Sequence, residues 1–343
     1  MPPRNAFVTH ILIISPAWVG DAVMAQPLFM RLKQRFPNST IDAYAPPWVA
    51  SVLRRMPEIN AVIDNPFGHG QLRWFDRIKA ARALRAHYYD QVIVLPNSFK
   101  SALIPFFARI PLRSGFVGEF RYGLLNDARP LDEAAYPLMV ERFALLAEPA
   151  DQVLVRPVPH PRLSTRETQP AATLTKLGLT LTQPVIALCP GAEYGPAKRW
   201  PAAHFASLAQ ALQQRGYQVW LIGSNKDQAI GGSIEQLSNH ACRNLCGQTS
   251  LDEAVDLLGV ALAVVTNDSG LMHIAAALDK PLVALYGSSS PGFTPPLSDK
   301  ARIVSLNLTC SPCFQRECPL GHLNCLTQLT PERVAVELDQ MPG

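Results

Sequence analysis

The sequence predicts an α/β protein of two domains, each built on a parallel β-sheet. Its 343 residues exceed the roughly 100–200 residues of a single domain. Short apolar runs alternate with longer helical stretches, a pattern typical of parallel sheets crossed by helices. A segment rich in proline and threonine, residues 148–184, separates two such series. We therefore predict a first domain over 1–165, a second over 180–328 and a terminal helix over 329–343.

The first half contains four apolar runs that predict strands, at 10–16, 41–47, 61–66 and 91–97. Helices are predicted between them at 21–36 and 74–89. In the second of these, Ile78, Ala81 and Leu84 recur at helical spacing. This order of elements favours a sheet of parallel strands joined by helical crossovers.

The second half repeats this architecture. Four apolar runs that end in small or polar residues predict strands at 184–191, 217–224, 262–270 and 281–289. Helices are predicted at about 201–215, 226–238, 251–259, 270–279 and 330–341, the last with a Thr-Pro start signal. Open α/β sheets bind ligands beyond the carboxyl ends of their strands. The candidate binding turns are therefore 15–22, 189–200, 223–227 and 266–272.

The charge of the chain excludes one class of protein and indicates a kind of partner. The 31 Lys and Arg residues against 27 Asp and Glu give a net charge of +4, too small for a general nucleic-acid binder. Residues 50–130 carry 12 basic and 6 acidic side chains, which indicates an anionic partner for the first half.

The sequence does not show the pattern of a signal peptide or of a membrane span. Residues 1–10 lack the apolar core of a signal peptide, and no apolar run approaches the roughly 20 residues of a membrane span. Seven cysteines in a chain of this length do not resemble a secreted disulfide framework. We expect a cytoplasmic protein with reduced thiols.

Several common catalytic motifs do not occur in the sequence. It contains no GxGxxG, GxxxxGK[ST], GxSxG or HExxH, which argues against the usual dinucleotide, P-loop, hydrolase and zinc-protease sites. No Asp-x-Asp occurs either, which argues against a diphosphate bound through a metal ion.

The first candidate turn, SPAWVGDAVMAQP at 15–27, places Asp21 at a helix N-terminus after Gly20. Two roles are open for Asp21. Capping the helix is the commoner role for such a residue. A carboxylate exposed at the end of a strand can instead accept the proton of a substrate hydroxyl.

The second candidate turn, CPGAEYGPAKRWP at 189–201, combines glycines, a Lys-Arg pair and the start of a helix. Backbone N–H groups, a helix N-terminus and Lys198 together form a phosphate cradle. A surface loop with incidental charge is the alternative.

The third candidate turn, TNDSGLMHIAAAL at 266–278, offers Asp268 and Ser269 as caps and leaves the backbone open at Gly270. Asp268 is suited to hold a sugar hydroxyl. His273 is expected to be a packed or rim histidine rather than a metal ligand, because no partner is near in sequence.

A cluster of cysteines lies near the end of the chain, with the spacing Cys310-x2-Cys313-x4-Cys318-x6-Cys325. The first pair has the spacing of a zinc knuckle, but the second pair does not repeat it. A structural metal site and a set of unligated, half-buried thiols are both open.

Taken together, these turns resemble the ADP-heptose:lipopolysaccharide heptosyltransferases, over essentially the whole chain and in the same order. The strings that carry the resemblance are SPAWVGD, LPNSFKSAL, RYGLLND, PGAEYGPAKRWP, TNDSGLMHIAAAL and VALYGSSSPGFTPPL. The resemblance is closest to the group that adds heptose to the first heptose of the lipopolysaccharide inner core. It implies a GT-B architecture, in which two Rossmann-like domains face each other across a cleft.

The resemblance also implies roles for individual residues. Family members transfer L-glycero-D-manno-heptose from ADP-heptose with inversion, here to a heptosyl-Kdo2-lipid A acceptor. The general base of the family falls on Asp21, and its diphosphate-binding lysine on Lys198. The implied donor-binding residues are Gly191, Ala192, Glu193, Tyr194, Lys198, Asp268, Ser269 and Gly270.

The acceptor contacts implied in this way are Lys100 and Arg121, so the acceptor is expected mainly on residues 1–160 and the donor on 180–300. No cofactor is expected, since Lys198 and helix N-termini supply positive potential without a metal. The lipid-linked acceptor implies peripheral contact with the cytoplasmic face of the inner membrane, and no nucleic-acid partner is expected.

Two alternatives stay open. One is another nucleotide-sugar transferase, or an epimerase, of the same architecture. The other is a noncatalytic binder of nucleotide or glycolipid. Asp21 distinguishes an enzyme from a binder, because a binder does not need a base.

Overall fold

A computed structural model of the chain describes residues 9–68, 73–165 and 169–341. The chain divides into two compact units, Met1–Pro161 and Arg162–Gly343. The division falls close to residue 165, the predicted end of the first domain. Residues 1–8 of the predicted first domain and 342–343 of the predicted terminal helix lie outside the described residues.

Unit 1 is built on a parallel sheet of six strands in the order β3-β2-β1-β4-β5-β6. The strands are β1 His10–Ile14, β2 Thr40–Ala45, β3 Ala61–Asp64, β4 Gln91–Val94, β5 Leu112–Phe116 and β6 Asp127–Arg129. Ile11 of β1 lies between Ile41 of β2 and Gln91 of β4, so β1 is a central strand. A central strand of a parallel sheet is covered on both faces, which explains its continuous apolar sequence.

The helices of unit 1 are α1 Val19–Met24, α2 Gln26–Arg35, α3 Pro47–Leu53, α4 Trp74–Leu84, α5 Phe99–Ala108 and α6 Met139–Leu145. The helix predicted at 21–36 is therefore two helices, which meet at Ala25. Pro27 lies at the start of α2, where its missing N–H costs no intrahelical hydrogen bond. The helix predicted at 74–89 ends at Leu84 and continues as a single 3-10 turn, Arg85–His87.

Unit 2 contains a second parallel sheet of six strands in the order β12-β11-β10-β7-β8-β9. The strands are β7 Val185–Cys189, β8 Gln218–Leu221, β9 Arg243–Asn244, β10 Ala263–Asn267, β11 Leu282–Leu285 and β12 Ala301–Val304. Numbered within each unit, both sheets follow the order 3-2-1-4-5-6 of the Rossmann fold. The order of strands reverses between β1 and β4 in unit 1, and between β7 and β10 in unit 2.

The helices of unit 2 are α7 Gln169–Leu177, α8 Ala202–Gln214, α9 Gln228–Leu237, α10 Leu251–Val260, α11 Gly270–Ala277, α12 Asn324–Thr327 and α13 Pro331–Asp339. The segment 148–184, which separates the two predicted series, contains the helix α7. This helix packs against α10, and Lys176 Nζ lies 2.6 Å from Glu253 Oε1.

Each unit has its own apolar core between sheet and helices. In unit 1, Leu12, Ile14 and Val92 of the sheet pack with Leu84 and Ile104 of the helices. Burial of each such side chain contributes about 1.5–3 kcal/mol. Within the described ranges, no helix is both long enough and apolar enough to cross a membrane.

Candidate active site

The switch point of unit 2 lies where β7 and β10 end, and a buried asparagine connects the two strand ends. Asn267, the last residue of β10, donates from Nδ2 to the carbonyl of Pro190 at 2.8 Å. Its Oδ1 accepts the backbone N–H of Trp200 at 3.1 Å. Asn267 thereby holds both ends of the turn after β7. The sequence analysis did not identify this residue, because the contact joins positions 67 and 77 residues apart.

A lysine and an aspartate predicted from two separate turns meet at this switch point. Lys198 Nζ lies 2.5 Å from Asp268 Oδ2. The Asp268 side chain is only 4% exposed and that of Lys198 is 18% exposed. Lys198 Nζ also lies 5.1 Å from the centre of the Tyr194 ring, within range of a cation–π contact. The ammonium group is therefore held in one place at the rim of the sheet.

The start of α11 follows Asp268 directly. Ser269 is its N-cap residue in an extended conformation, and Gly270 is its first helical residue. The Ser269 Oγ lies 3.4 Å from Thr266 Oγ1 rather than capping a helix N–H. The first N–H groups of a helix carry partial positive charge, so this terminus adds to the potential of Lys198.

The other predicted donor-binding residues, Gly191 to Tyr194, form the middle of the turn. A Cβ atom on Gly191 would lie 2.5 Å from Asp227 Oδ2, so a larger residue there would displace the Asp227 carboxylate. Asp227 forms a capping box with Ser224 at the predicted turn 223–227. Glu193 accepts a hydrogen bond from Lys226. The turns after β7 and β8 are therefore packed against each other.

His273 lies on α11 beside the Lys198–Asp268 pair and is 5% exposed. The pKa of His273 is lowered to about 4, mainly by burial; the Asp268 carboxylate opposes the shift and the Lys198 cation adds to it. The imidazole is therefore neutral at pH 7. Its burial confirms the expectation of a packed histidine.

The four clustered cysteines, Cys310, Cys313, Cys318 and Cys325, line one small cavity of about 20 Å³. All four are free thiols. Across the residues that the structure describes, no group of three or more His, Cys, Asp or Glu side chains is arranged so that it could hold a metal ion. The four thiols nevertheless share one cavity, so a structural metal site and a set of unligated thiols both stay predictions for this cluster.

The cysteine segment nevertheless contacts the candidate site. Ala197 donates its N–H to the carbonyl of Arg316 at 3.0 Å, and the Tyr194 hydroxyl donates to the carbonyl of Phe314 at 2.8 Å. The Arg316 guanidinium carbon lies 5.1 Å from the centre of the Tyr194 ring. A Cβ on Gly195 would lie 2.4 Å from the Arg316 carbonyl oxygen. The segment thus braces the turn that carries Lys198, a role the sequence analysis missed.

In unit 1, Asp21 follows β1 at the corresponding switch point. The N-cap of α1 is Trp18, and Asp21 is the third residue of the helix. Asp21 is therefore not the N-cap, which removes the simplest form of the capping interpretation. It is partly exposed, and its carbonyl accepts the N–H of Ala25 at 2.9 Å.

Two exposed tryptophans accompany Asp21 in unit 1. Trp18 is 44% exposed and Trp48, at the start of α3, is 50% exposed. The Trp48 indole donates to the carbonyl of Ala17 at 2.8 Å, which fixes it against the turn before Asp21. The sequence analysis did not identify these side chains. Two large rings are thus exposed in the segments around the turn that carries Asp21.

The two predicted acceptor contacts differ in exposure. Lys100, in the first turn of α5, is partly exposed. Arg121 is 1% exposed and donates to the carbonyls of Pro96 (2.6 Å) and Phe116 and to Asn97 Oδ1 (3.1 Å). Burial lowers the pKa of Arg121 to about 10. The guanidinium of Arg121, named above as an implied acceptor contact, is thus buried and holds the turn after β4.

Arg55, one of the 12 basic residues in 50–130, is also 1% exposed. Part of the surplus of positive charge in residues 50–130 is therefore buried and stabilises the fold.

In unit 2, a groove of about 700 Å³ lies at the opposite end of the sheet, where Pro184, Leu262 and Pro281 precede the strands. It is remote from Lys198, and none of the predicted site residues lines it.

Two Rossmann-like units with candidate residues at each switch point define the class of a GT-B glycosyltransferase. The sequence model of the family described as "Glycosyltransferase family 9 (heptosyltransferase)" matches residues 77–324. The chain therefore belongs to glycosyltransferase family 9, the heptosyltransferase family.

Individual relatives agree with this membership. Lipopolysaccharide heptosyltransferase 2 of Salmonella typhimurium is 50% identical over 96% of this chain and 98% of its own length. The protein of the same name from Escherichia coli is 49% identical with the same coverage of both chains. The solved structure of E. coli ADP-heptose lps heptosyltransferase II superposes with a TM-score of 0.86 at 48% identity, over 96% of this chain and 98% of that one.

Proposed function

We propose that this protein transfers L-glycero-D-manno-heptose from ADP-heptose to the first heptose of the lipopolysaccharide inner core, with inversion. The observation that carries the proposal is the identity of about half of all residues, over nearly the full length, with proteins named for this step. The arrangement of charged groups at the two switch points is what the reaction needs.

The donor is proposed to bind on unit 2. Its diphosphate would lie between Lys198 and the N–H groups that begin α11 at Ser269 and Gly270. Tyr194 and Asp268 hold the Lys198 ammonium in position, so it is already oriented when the donor arrives. Groups fixed in this way stabilise charge on a leaving group without reorganising during the reaction. No metal ion is proposed for this role.

The acceptor hydroxyl is proposed to react on unit 1. Asp21 takes the proton of the hydroxyl while the hydroxyl oxygen forms a bond to C1 of the heptose. The bond between C1 and the β-phosphate oxygen breaks, and ADP leaves with that electron pair. Attack from the face opposite ADP inverts the anomeric centre. General-base assistance of this kind contributes about 10²–10⁴ in rate.

Within unit 1, Lys100 is proposed as a direct acceptor contact. Arg121 is proposed as a positioning residue instead of the direct acceptor contact that the resemblance implies. It fixes residues 96–101, the turn that leads into α5 and Lys100. The acceptor carries a lipid, so we place the enzyme peripherally at the cytoplasmic face of the inner membrane.

ADP release tests this function. The protein is incubated with ADP-heptose in the presence and absence of heptosyl-Kdo2-lipid A. We expect ADP to form at a catalytic rate only with the acceptor, and the acceptor to gain the mass of one heptose. ADP release that is independent of acceptor, or ADP-heptose bound without turnover, would contradict the proposal.

A further inference from the structure

One surface of unit 1 combines exposed aromatic and basic side chains. In α4, positions 75, 79 and 82 lie on one line along the helix, because residues four and seven apart share a face. These positions hold Phe75, Lys79 and Arg82, and all three are exposed. The opposite side of α4, with Ala81 and Leu84, is buried in the core. We call the exposed surface of α4 and the adjoining end of α5 the α4 face.

Aromatic rings form a continuous part of the α4 face. The ring centres of Trp74 and Phe107 are 5.5 Å apart, and those of Phe107 and Phe106 are 5.4 Å apart. Phe75 is 85% exposed, and Trp74 and Phe106 are each 40% exposed. Rings of this size normally lie in a core, so their exposure in one place indicates contact with an apolar partner.

Basic side chains surround these rings. Residues 73–85 and 105–113 contain seven Lys and Arg, of which Arg77 is buried, and one acidic residue, Asp76. The Asp76 carboxylate is engaged by Arg73 at 2.8 Å. Arg113 lies over the Phe106 ring at 5.8 Å, and Arg85 donates to the carbonyl of Phe107 at 2.7 Å. The charge that remains is positive and has no acidic counterpart within these two stretches.

We propose that the α4 face docks on the surface of a bilayer that contains anionic phospholipid. Aromatic rings enter the interfacial region of a membrane, and basic residues beside them are attracted to anionic headgroups. The two properties coincide on the α4 face, and charge complementarity selects a lipid surface of negative charge. The proposal deepens the proposed function, because it supplies the route by which the enzyme meets a lipid-linked acceptor.

Flotation of the full chain with vesicles tests the proposal without donor or acceptor, so its outcome is independent of whether heptose is transferred. Vesicles of phosphatidylcholine alone are compared with vesicles that contain about one third phosphatidylglycerol. We expect binding only to the anionic vesicles. Raising the salt concentration should weaken that binding, since the Debye length falls from about 10 Å at 0.1 M to about 3 Å at 1 M.

Two variants separate the contributions of charge and ring. Lys79→Glu/Arg82→Glu should lower the vesicle affinity at least about tenfold, since each basic residue near such a surface contributes about 1 kcal/mol. Phe75→Ser should lower it several-fold while keeping the salt dependence. The matched controls on unit 2, Arg243→Glu/Arg302→Glu and Leu237→Ser, change exposed residues and should bind as the unaltered protein does.

Activity on a de-acylated, water-soluble acceptor shows that the variants fold and catalyse. Lys79→Glu/Arg82→Glu should keep full turnover there and lose it only on acceptor embedded in vesicles. Three results would overturn the proposal: no binding of the unaltered protein to anionic vesicles, equal binding to both vesicle types, or undiminished binding of the variants. Capture of the α4 face by an acidic protein in place of vesicles would also overturn it.

Discussion

Lys198 and Asp268 form an ion pair of 2.5 Å between the ends of two adjacent strands, although 70 residues separate them in the chain. The pair has two consequences. It keeps a cation at the switch point, where a donor diphosphate would bind. It also compensates the charge of the Asp268 carboxylate, whose side chain is only 4% exposed. Binding and stability are therefore linked in these two residues.

Replacement of either partner is expected to separate these two roles. Lys198→Ala should weaken the binding of both ADP and ADP-heptose by about 10- to 100-fold. The two ligands carry the same diphosphate, and a hydrogen bond from the Lys198 ammonium to it contributes about 1.5–3 kcal/mol. It should also destabilise unit 2, since Asp268 is left buried without its cation. Calorimetry of ADP binding and thermal unfolding measure the two effects.

The double variant Lys198→Ala/Asp268→Asn provides the control. It should recover much of the lost stability, because the unpaired charge is gone, while ADP binding stays weak. Unchanged ADP affinity in Lys198→Ala would show that the diphosphate binds elsewhere.

Arg121 is expected to affect stability rather than the charge of the surface. Arg121→Ala removes the charged donor to the carbonyls of Pro96 and Phe116, at about 1.5–3 kcal/mol for each hydrogen bond, although the Pro96 carbonyl keeps the Ser101 hydroxyl as a donor at 3.0 Å. Unfolding in urea should therefore show a loss of several kcal/mol. The partly exposed neighbour Lys100→Ala should change stability by less than about 0.5 kcal/mol and raise the KM for acceptor. An Arg121→Ala protein of normal stability would contradict this assignment.

Protonation of His273 is expected to destabilise the fold in acid. Because burial lowers its pKa from 6.5 to about 4, the unfolded chain takes up a proton at a higher pH than the folded chain does. The contribution of His273 to the free energy of unfolding is fully present above pH 6.5. It declines by about 1.4 kcal/mol per pH unit as the pH falls from 6.5 to 4.

Thermal unfolding of His273→Gln checks this assignment. The variant should have a shallower dependence of unfolding free energy on pH than the unaltered protein between pH 6.5 and 4. An unchanged slope would assign the acid sensitivity to other groups.

Transfer is expected to proceed without a metal ion. The sequence lacks Asp-x-Asp, and the proposed donor site offers an ammonium group and helix N–H groups instead. Activity in EDTA should equal activity without it. Loss of activity in EDTA that Mg²⁺ restores would contradict the proposal for Lys198.

Much of the fold could be predicted from local patterns. The strands with continuous apolar sequences, such as β1 and β7, lie where the sequence placed them, because burial on both faces leaves a clear signal. The short edge strand β12 carries two exposed residues in four and gave no such signal. The helix α7 was missed because its proline and threonines are typical of a loop.

The site could be predicted only in part. Lys198 and Asp268 were found because each lies in a turn that follows a strand, and parallel strands bring such turns together. Asn267 and Arg316 contact the same turn across long separations in sequence, and no local pattern marks them. Arg121 was named as an acceptor contact through the family resemblance, and charge in a sequence does not show burial. Only the packing of the turn at 96–101 shows that this guanidinium is internal.

The role of Asp21 is the centre of this account, and single-turnover kinetics of Asp21→Asn test it directly. With the enzyme in excess over ADP-heptose and the acceptor saturating, we expect the rate of heptose transfer to fall by about 10²–10⁴. The affinity for ADP and the unfolding temperature should not change, and Asp151→Asn, an exposed carboxylate of the same unit, should react normally. Near-normal transfer by Asp21→Asn would contradict the assignment of Asp21 as the general base.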